Sequence, residues 1–422
     1  MPASPVLSPR LRLLVVIVFA LLASGSFYEE HFVGEFAQKA IQWQHPGVGG
    51  GDLYSPWFAA KAALHGVDPY SAPVTRQIQI DVYGHPLPAE TTWSKFSFIY
   101  PAHIILVLAP LTLVPWHVLY PLFPWAGFPC VALGTFLWLR LYQPALNLQA
   151  QLLVAGLSVI SWPAITAWGL QPTIYIAFVL ALAALCFHRG ADFTAGVFLA
   201  IGTVKPHLVL LLIAYLSVIA VRERRFRFLA GFAITLAVLL AASLWLVPDW
   251  IPHWIEASRH DAILKPLPIA LAGYRVGAVL WVALLAATAL RIWMVAMDLR
   301  IKEAFIYGVA LLLTTTICLI PWTPWMIYND LLLIPAILLL LPGLLTTRPA
   351  GLLYGIAQLG LIASIAVAPV CVVFGLIFGY SIAVALTPAL VLYLAPLTIL
   401  GALLAFDPLR TSVPDLVPVS VA

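Results

Sequence analysis

Long apolar runs separated by short polar segments dominate this chain. A helix needs about twenty apolar residues to cross the roughly 30 Å of hydrocarbon in a bilayer. By that rule the pattern predicts about twelve membrane helices, at roughly residues 11–27, 101–118, 121–140, 149–168, 172–188, 194–221, 228–247, 275–297, 304–321, 328–345, 351–377 and 382–405. We therefore expect an all-α, polytopic transmembrane protein that forms one integral membrane domain over residues 1–422.

The composition excludes a soluble globular domain, because 63% of the residues are hydrophobic, 9% are charged and the mean hydropathy is +1.02. The run 11–27 follows Arg10 and Arg12 but no small-residue cleavage site follows it, which predicts a retained first helix rather than a signal peptide. The cysteines are far apart within apolar runs, so no disulfide or metal-ligand spacing is visible; they are Cys130, Cys186, Cys318 and Cys371. The net charge of +4 requires no nucleic acid partner.

The distribution of basic residues predicts how the chain is oriented. Arg and Lys concentrate on cytoplasmic loops, which places the N-terminus and the tail 406–422 in the cytoplasm, together with the basic positions at 222–227, 300–302 and 348. The loops 28–100, 248–274, 322–328 and 378–381 then face the outside of the cell membrane.

Two arrangements of the middle of the chain remain open. If 194–221 is one helix, Arg140 and Arg189 face outward. If Lys205-Pro206 divides that run into two half-helices and 101–140 contains a re-entrant piece, both arginines face the cytoplasm. Gln171 and Lys205 then approach the outer loop 28–100, and the pattern slightly favours this second arrangement.

The outer loop 28–100 is the one long polar interruption of the chain, and it contains a predicted interfacial helix. Ser55 before Pro56 predicts a helix start, since Ser is a preferred N-cap and Pro tolerates the first helical position. Gly66 predicts the end of that helix near His65, through a left-handed residue. Asp52 would then lie just ahead of the positive end of the helix, either as a solvated acid or cap or as a functional carboxylate.

Ionisable residues at membrane depth are costly, and they often line a cavity or a pathway. Lys205 has no carboxylate near it in sequence, so it either reaches an interface or contacts an anionic ligand. In the outer loop 248–274, Arg259, His260, Asp261 and Lys265 either face solvent or close over a substrate head group, and Asp330 begins another apolar run. The histidines show no zinc-site spacing, and the chain contains no Walker lysine or Gly-x-Ser-x-Gly elbow.

An ordered set of short motifs over the first 225 residues, with a weaker match near 323–330, resembles glycosyltransferase family 87, the polyprenyl-phosphate-dependent mannosyltransferase-like membrane proteins of the GT-C class. The motifs are Asp52-Leu53-Tyr54, Lys61 to Tyr70, Phe98-Ile99-Tyr100-Pro101, Ala109 to Pro115, Trp168 to Thr173, Ala195-Gly196 and Thr203 to Pro206. The chain departs from the family where Leu170, Pro172 and Thr173 surround Gln171, and where Thr323-Pro324-Trp325 lacks the histidine-containing segment.

The resemblance implies a GT-C-like fold and an inverting hexosyl transfer from a polyprenyl-phosphate sugar to a lipid or glycan acceptor on the outer side of the membrane. Asp52 would be the general base. The implied substrate-binding residues are Tyr54, Asp68, Tyr70, Tyr100, Gln171, Lys205, Arg259, His260 and Asp330. No metal or other cofactor is expected. Two other classes stay open, a transporter or flippase for lipid-linked saccharides and an O-antigen ligase-like protein.

Overall fold

A computed structural model describes the chain at residues 51–88, 97–159, 161, 164, 171–260, 265–298, 301–319, 321–322, 326–346 and 395–405. Regular structure in these residues is helical, apart from a two-residue antiparallel pairing of β1 (Lys265–Pro266) with β2 (Pro321–Trp322). The predicted all-α class is confirmed in these residues. The predicted spans 11–27 and 351–377 lie outside the described residues.

The polar segment after residue 50 forms two helices, α1 (Gly51–Leu64) and α2 (Ala72–Tyr83). Gly66 adopts a left-handed φ of 75°. The N–H groups of Gly66 and Val67 donate to the carbonyls of Ala63 and Ala62 at 2.9 and 3.0 Å, which is the Schellman pattern of a helix end. The predicted stop at Gly66 is confirmed.

The predicted helix start at Ser55 is wrong. Ser55 and Pro56 lie inside α1, and Asp52 belongs to its first turn instead of preceding it. The reason is burial: Leu53 and Tyr54 are each 3% exposed and pack with Trp57, which requires them to share one helical register. This packing outweighs a cap worth about 1 kcal/mol.

An aromatic cluster joins α1 to the following segment, and Val74 and Ile78 of α2 pack into the same cluster. The ring of Trp116 lies 5.2 Å from both Tyr54 and Trp57, measured between centroids. Nε1 of Trp57 donates to the carbonyl of Leu111 at 3.2 Å. The first two helices are therefore fixed to the helical body rather than solvated separately.

The predicted span 101–118 is not one helix. The segment forms α3 (His103–Leu108), a 3₁₀ helix (Ala109–Leu113) and α4 (Trp116–Leu119). Pro110 and Pro115 explain the breaks, since proline lacks an N–H and disfavours continued helix before it.

A series of apolar helices follows, most of them close to the predicted boundaries. They are α5 (Leu122–Tyr142), α6 (Leu148–Ser158), α7 (Thr173–His188), α8 (Asp192–Gly202), α9 (Pro206–Arg222) and α10 (Phe226–Leu246). The predicted run 194–221 is divided at Thr203-Val204-Lys205, between α8 and α9. The break expected at Lys205-Pro206 is confirmed.

The remaining described helices complete the core. They are α11 (Trp250–His260), α12 (Leu267–Asp298), α13 (Ile301–Leu319), a second 3₁₀ helix (Met326–Leu333), α14 (Ile334–Thr346) and α15 (Ala395–Ala405). The predicted outer loop 248–274 thus contains a whole helix, and the predicted span 328–345 begins in 3₁₀ geometry. The core centres on α13, which packs against α9, α12, α14 and α15.

Three described helical segments are long and apolar enough to cross a membrane: Phe226–Leu246, Arg275–Val295 and Lys302–Leu319. Several shorter apolar helices accompany them, among them Thr173–His188 and Pro206–Arg222. Many large apolar side chains on α10 and α12 are exposed, as expected of helix faces that contact lipid. The chain is built for association with a membrane.

Successive packed helices alternate between two ends of the bundle. The lysine end contains Gln171, Thr173 and Lys205, where α7 begins and α8 meets α9. The arginine end contains Arg189 and Arg225, where α7 meets α8 and α9 meets α10. Close packing of α8 on α10 needs glycine, because a Cβ on Gly196 or Gly231 would collide with backbone atoms of the facing helix.

Candidate functional site

Asp52, Gln171 and Lys205 come together at the lysine end. Nε2 of Gln171 donates a hydrogen bond to Oδ2 of Asp52, and Nζ of Lys205 lies 3.5 Å from Oε1 of Gln171. The single amide therefore points its donor at the carboxylate and its acceptor at the ammonium, as the charges of the two require. Three residues separated by 119 and 34 positions in sequence form one acid–amide–amine chain.

The chain continues beyond the lysine through buried hydroxyl and amide groups. Nζ of Lys205 donates to Oγ1 of Thr173 at 2.9 Å. That hydroxyl in turn donates to Oδ1 of Asn329 at 3.1 Å. The second 3₁₀ helix, which carries Asn329, is thereby joined to the start of α7.

Lys205 is 6% exposed, and its direct hydrogen-bond partners within the described part of the chain are neutral. Its ammonium lies 5.1 Å from the ring centroid of Tyr328 and 5.9 Å from that of Tyr100. Aromatic faces stabilise a cation by about 0.5–2 kcal/mol each, less than the cost of desolvating it. An ammonium has three donors, and among the described residues the two bonds to Gln171 and Thr173 leave one of them for a further partner.

Helix geometry explains how these side chains are presented. The break between α8 and α9 places Lys205 immediately before Pro206, the first residue of α9. Asp52 lies in the first turn of α1, where the helix dipole favours a negative charge. Pro56 has no N–H to bond the carbonyl of Asp52, which leaves the backbone around the acid less constrained.

Tyr54 does not contact Asp52. Its hydroxyl donates to Oδ2 of Asp81 at 2.6 Å, and Nε2 of Gln77 donates to the other oxygen of Asp81 at 2.8 Å. Burial and the bond to Asp81 raise the pKa of Tyr54 well above its ordinary value, so it remains a neutral donor. Tyr54 lies two positions after Asp52 in α1, so the helix directs the two side chains to different faces.

Asp68 and Tyr70 form a second polar group, linked to the site through the segment 97–103. The backbone N–H of Tyr70 donates to Oδ1 of Asp68 at 3.0 Å, and the hydroxyl of Tyr70 donates to the carbonyl of Tyr100 at 2.7 Å. Nδ1 of His253, on α11, lies 3.1 Å from Oδ2 of Asp68. Asp68 and Tyr70 thus hold Tyr100 and α11 in place rather than meeting Asp52 directly.

The remaining predicted residues differ in how far the structure describes them. Asp330 is buried, and its Oδ2 has no hydrogen-bond partner among the described residues. Arg259 and His260 lie in the last turn of α11, and Lys265 lies in β1, but their side chains fall outside the described residues.

Several residues at the site were not singled out from the sequence as site residues. Thr173 and Asn329 extend the chain from Lys205. Burial and the nearby carboxylate of Asp52 raise the pKa of Tyr83 above its ordinary value. Thr173 follows Gln171 by two positions and Asn329 precedes Asp330, so adjacency to predicted residues was the available signal. Nothing in the sequence pattern pointed to Tyr83.

The described residues contain no group of three or more His, Cys, Asp or Glu side chains that could hold a metal ion. A small cavity of about 10 Å³ is lined mostly by apolar side chains, including Val131, Ile174 and Leu331. Ile174 and Leu331 directly follow Thr173 and Asp330 in the sequence. Its size suits one water molecule.

No family model, curated protein or solved structure matches this chain.

Proposed function

We propose that the protein is a membrane glycosyltransferase that uses a polyprenyl-phosphate sugar as donor and transfers the sugar to a lipid or glycan acceptor. The observation that carries this proposal is the convergence of Asp52, Gln171 and Lys205 into one chain at the lysine end. A carboxylate and a buried ammonium, separated by one amide group, supply the base and the anion-binding group that such a transfer needs. The sequence resemblance to glycosyltransferase family 87 supports the same reaction class.

The reaction follows from the chemistry of these groups. The acceptor hydroxyl gives its proton to the carboxylate of Asp52 as its oxygen attacks the anomeric carbon. The bond from that carbon to the phosphate oxygen breaks, and its electron pair stays on the phosphate. Attack from the face opposite the leaving group inverts the anomeric configuration.

Each residue of the chain has a distinct role in this scheme. Gln171 holds one carboxylate oxygen of Asp52 and leaves Oδ1 to accept the proton. Lys205 binds the phosphate through its remaining donor, and the charge that develops on the leaving oxygen strengthens that interaction in the transition state. The polyprenyl phosphate is already anionic, so a cation serves it better than a general acid.

The fold and location belong to the same proposal. We infer a GT-C-like arrangement of about twelve spans in the cell membrane, with the arginine end cytoplasmic and the lysine end extracytoplasmic. Arg189, Arg222 and Arg225 gather at one end of the described helices, which supports this orientation. The arrangement is the one in which Lys205-Pro206 divides the run 194–221.

The test is transfer from radiolabelled polyprenyl-phosphate sugars by membranes that contain the full-length protein. Asp52→Asn preserves the shape of the side chain and removes its basicity, so we expect transfer to fall by about 10²–10⁴-fold. Asp81→Asn is the matched control, because Asp81 is also an acid of the 51–88 segment but bonds Tyr54 and Gln77.

Full transfer by a folded Asp52→Asn protein would show that Asp52 is not the base. If the wild-type protein transfers no sugar from a panel of polyprenyl-phosphate hexoses, the proposed reaction is wrong. Movement of the labelled lipid between leaflets without transfer would instead assign the protein to the transporters.

A further inference from the structure

A second polar feature lies between α3 and α11, away from the acid–amide–amine chain. His103 and Trp250 are 3% and 4% exposed, and each has a ring nitrogen without a hydrogen-bond partner among the described residues. These atoms are Nδ1 of His103 and Nε1 of Trp250. The two ring centroids lie 6.4 Å apart, with the planes at 76°.

The hydrogen bonds of Thr203 determine which ring nitrogen of His103 donates and which accepts. Oγ1 of Thr203 donates its only proton to the carbonyl of Ala200 at 2.5 Å. Its 3.2 Å contact with Nε2 of His103 therefore requires the imidazole to donate from Nε2. In the neutral ring Nδ1 is then an acceptor, whereas the indole Nε1–H of Trp250 is only a donor.

A group that pairs with both atoms must donate to Nδ1 of His103 and accept from Nε1–H of Trp250. A hydroxyl group donates to one atom and accepts from another, whereas an ammonium only donates and a carboxylate only accepts. Buried polar atoms are normally paired, so an arrangement of this kind predicts an occupant. The group that fits both atoms is therefore a hydroxyl, which belongs either to a water molecule or to a ligand.

The position of the pair favours a ligand hydroxyl. Thr203 is two residues before Lys205, and Tyr100, whose ring faces the Lys205 ammonium, is three residues before His103. The ring of Trp254 lies 5.9 Å from that of Trp250. Aromatic walls with a few polar groups are typical of small-molecule sites.

Helix α11, which carries Trp250, packs over His103. Nε1 of Trp254 donates to the carbonyl of Ile99 at 3.0 Å, and Nδ1 of His253 lies 3.1 Å from the carboxylate of Asp68. These contacts hold α11 against the segment that carries His103. Entry of a ligand requires α11, together with Trp250, to separate from this segment and then to close again on the ligand. Closure removes the ligand from water and strengthens the hydrogen bonds made inside.

We propose that His103, on α3, and Trp250, on α11, form a subsite that binds one hydroxyl group of a ligand; that the ligand is a carbohydrate rests on the proposed function. The hydroxyl donates to Nδ1 of His103 and accepts from Nε1–H of Trp250. The subsite uses none of the residues of the acid–amide–amine chain, and it binds a sugar whether or not Asp52 acts as a base.

The test is a titration of the full-length protein in detergent micelles, with tryptophan labelled at the indole nitrogen and observed by NMR. The Trp250 signal is assigned by its loss in Trp250→Phe, and the Trp254 signal by its loss in Trp254→Phe. The probes are methyl glycosides of hexoses and their single-deoxy analogues. We expect one glycoside to shift the Trp250 signal saturably, and one deoxy analogue to lose this effect.

Two variants separate the proposed subsite from general effects of the sugar. His103→Phe should abolish the shift, and Thr203→Val, which removes the partner that fixes the imidazole tautomer, should weaken the apparent affinity about tenfold. The Trp254 signal is the internal control, because its N–H already bonds Ile99. If His103→Phe does not fold, Thr203→Val alone decides.

A Trp250 signal that no glycoside shifts, with magnetisation transfer only to water, would assign the subsite to a buried water and overturn the proposal. A shift that persists unchanged in both His103→Phe and Thr203→Val would also overturn it. Glycoside binding by a protein without transferase activity supports the subsite and contradicts only the proposed transfer.

Discussion

Two cations at opposite ends of the helical bundle have different surroundings. At the arginine end, Arg225 donates to the carboxylate of Asp192 and to the carbonyl of Phe187, and its guanidinium lies 3.7 Å from the centroid of the Phe187 ring. At the lysine end, Lys205 bonds the neutral oxygens of Gln171 and Thr173. Arg225 is neutralised where it lies, whereas Lys205 reaches a carboxylate only through an amide.

This difference separates a structural charge from one available to a ligand. A paired charge such as Arg225 needs no further anion, and its contacts fix α8 and α10 relative to α7. A buried ammonium whose direct partners are neutral is costly unless an anion joins it. The comparison therefore supports the proposed anion-binding role of Lys205 and a packing role for Arg225.

The largest expected effect is an all-or-none difference in labelling between the two ends. On a background with the four native cysteines replaced by alanine, His85→Cys should react in intact cells with a membrane-impermeant maleimide. Arg140→Cys and Arg189→Cys should react only after the cells are opened, because both positions are exposed and the proposed orientation places them on the cytoplasmic side. Labelling of position 140 in intact cells, with protection of position 85, would reverse the proposed orientation.

The next effect concerns Lys205 itself. Lys205→Met removes the charge but keeps a similar length, so we expect sugar transfer to fall by about 10²–10³-fold. Thermal stability should not fall, since an apolar side chain replaces a buried charge. Transfer rate and thermal unfolding are measured on the same preparation.

Lys61→Met is the matched control for that substitution, because Lys61 is exposed and lies 5.6 Å from the ring centroid of Trp57. It should leave transfer unchanged. A Lys205→Met protein that transfers normally but unfolds at lower temperature would place Lys205 with Arg225 as a structural charge.

A smaller effect is expected at the arginine end. Arg225→Met removes partly buried hydrogen bonds to charged and neutral oxygens, and should lower the free energy of unfolding by about 2 kcal/mol. Transfer per folded molecule should stay constant. Denaturant unfolding checks the first expectation and a rate normalised to folded protein checks the second, with the exposed Arg227→Met as control. If Arg225→Met lowers transfer per folded molecule without lowering stability, Arg225 also takes part in transfer, and the distinction between Arg225 and Lys205 is wrong.

Local sequence rules correctly predicted the apolar helices and the helix end at Gly66. The ends of α7 and α10 differ from the predicted spans by at most two residues, because apolar length and flanking polar residues mark such helices clearly. Gly66 was recognised as a helix stop because a left-handed position strongly favours glycine. The break at Lys205-Pro206 also follows from local chemistry.

The same rules failed where packing opposed them. The pair Ser55-Pro56 predicts a helix start, but burial of Leu53 and Tyr54 extends α1 back to Gly51. The run 101–118 is apolar enough to cross a membrane, yet two prolines divide it into three short helices. A hydropathy rule counts apolar residues and does not weigh the missing N–H groups.

The sequence by itself determined that this chain is helical and suited to a membrane, because composition and apolar run lengths depend on the residues alone. It also supplied Asp52, Gln171 and Lys205 as candidates, each costly to bury. Only the tertiary structure decided that one amide joins the acid to the lysine, that Tyr54 serves Asp81, and that His103 meets Trp250. Such contacts join residues up to 147 positions apart, and local patterns contain no information on which distant helices will pack together.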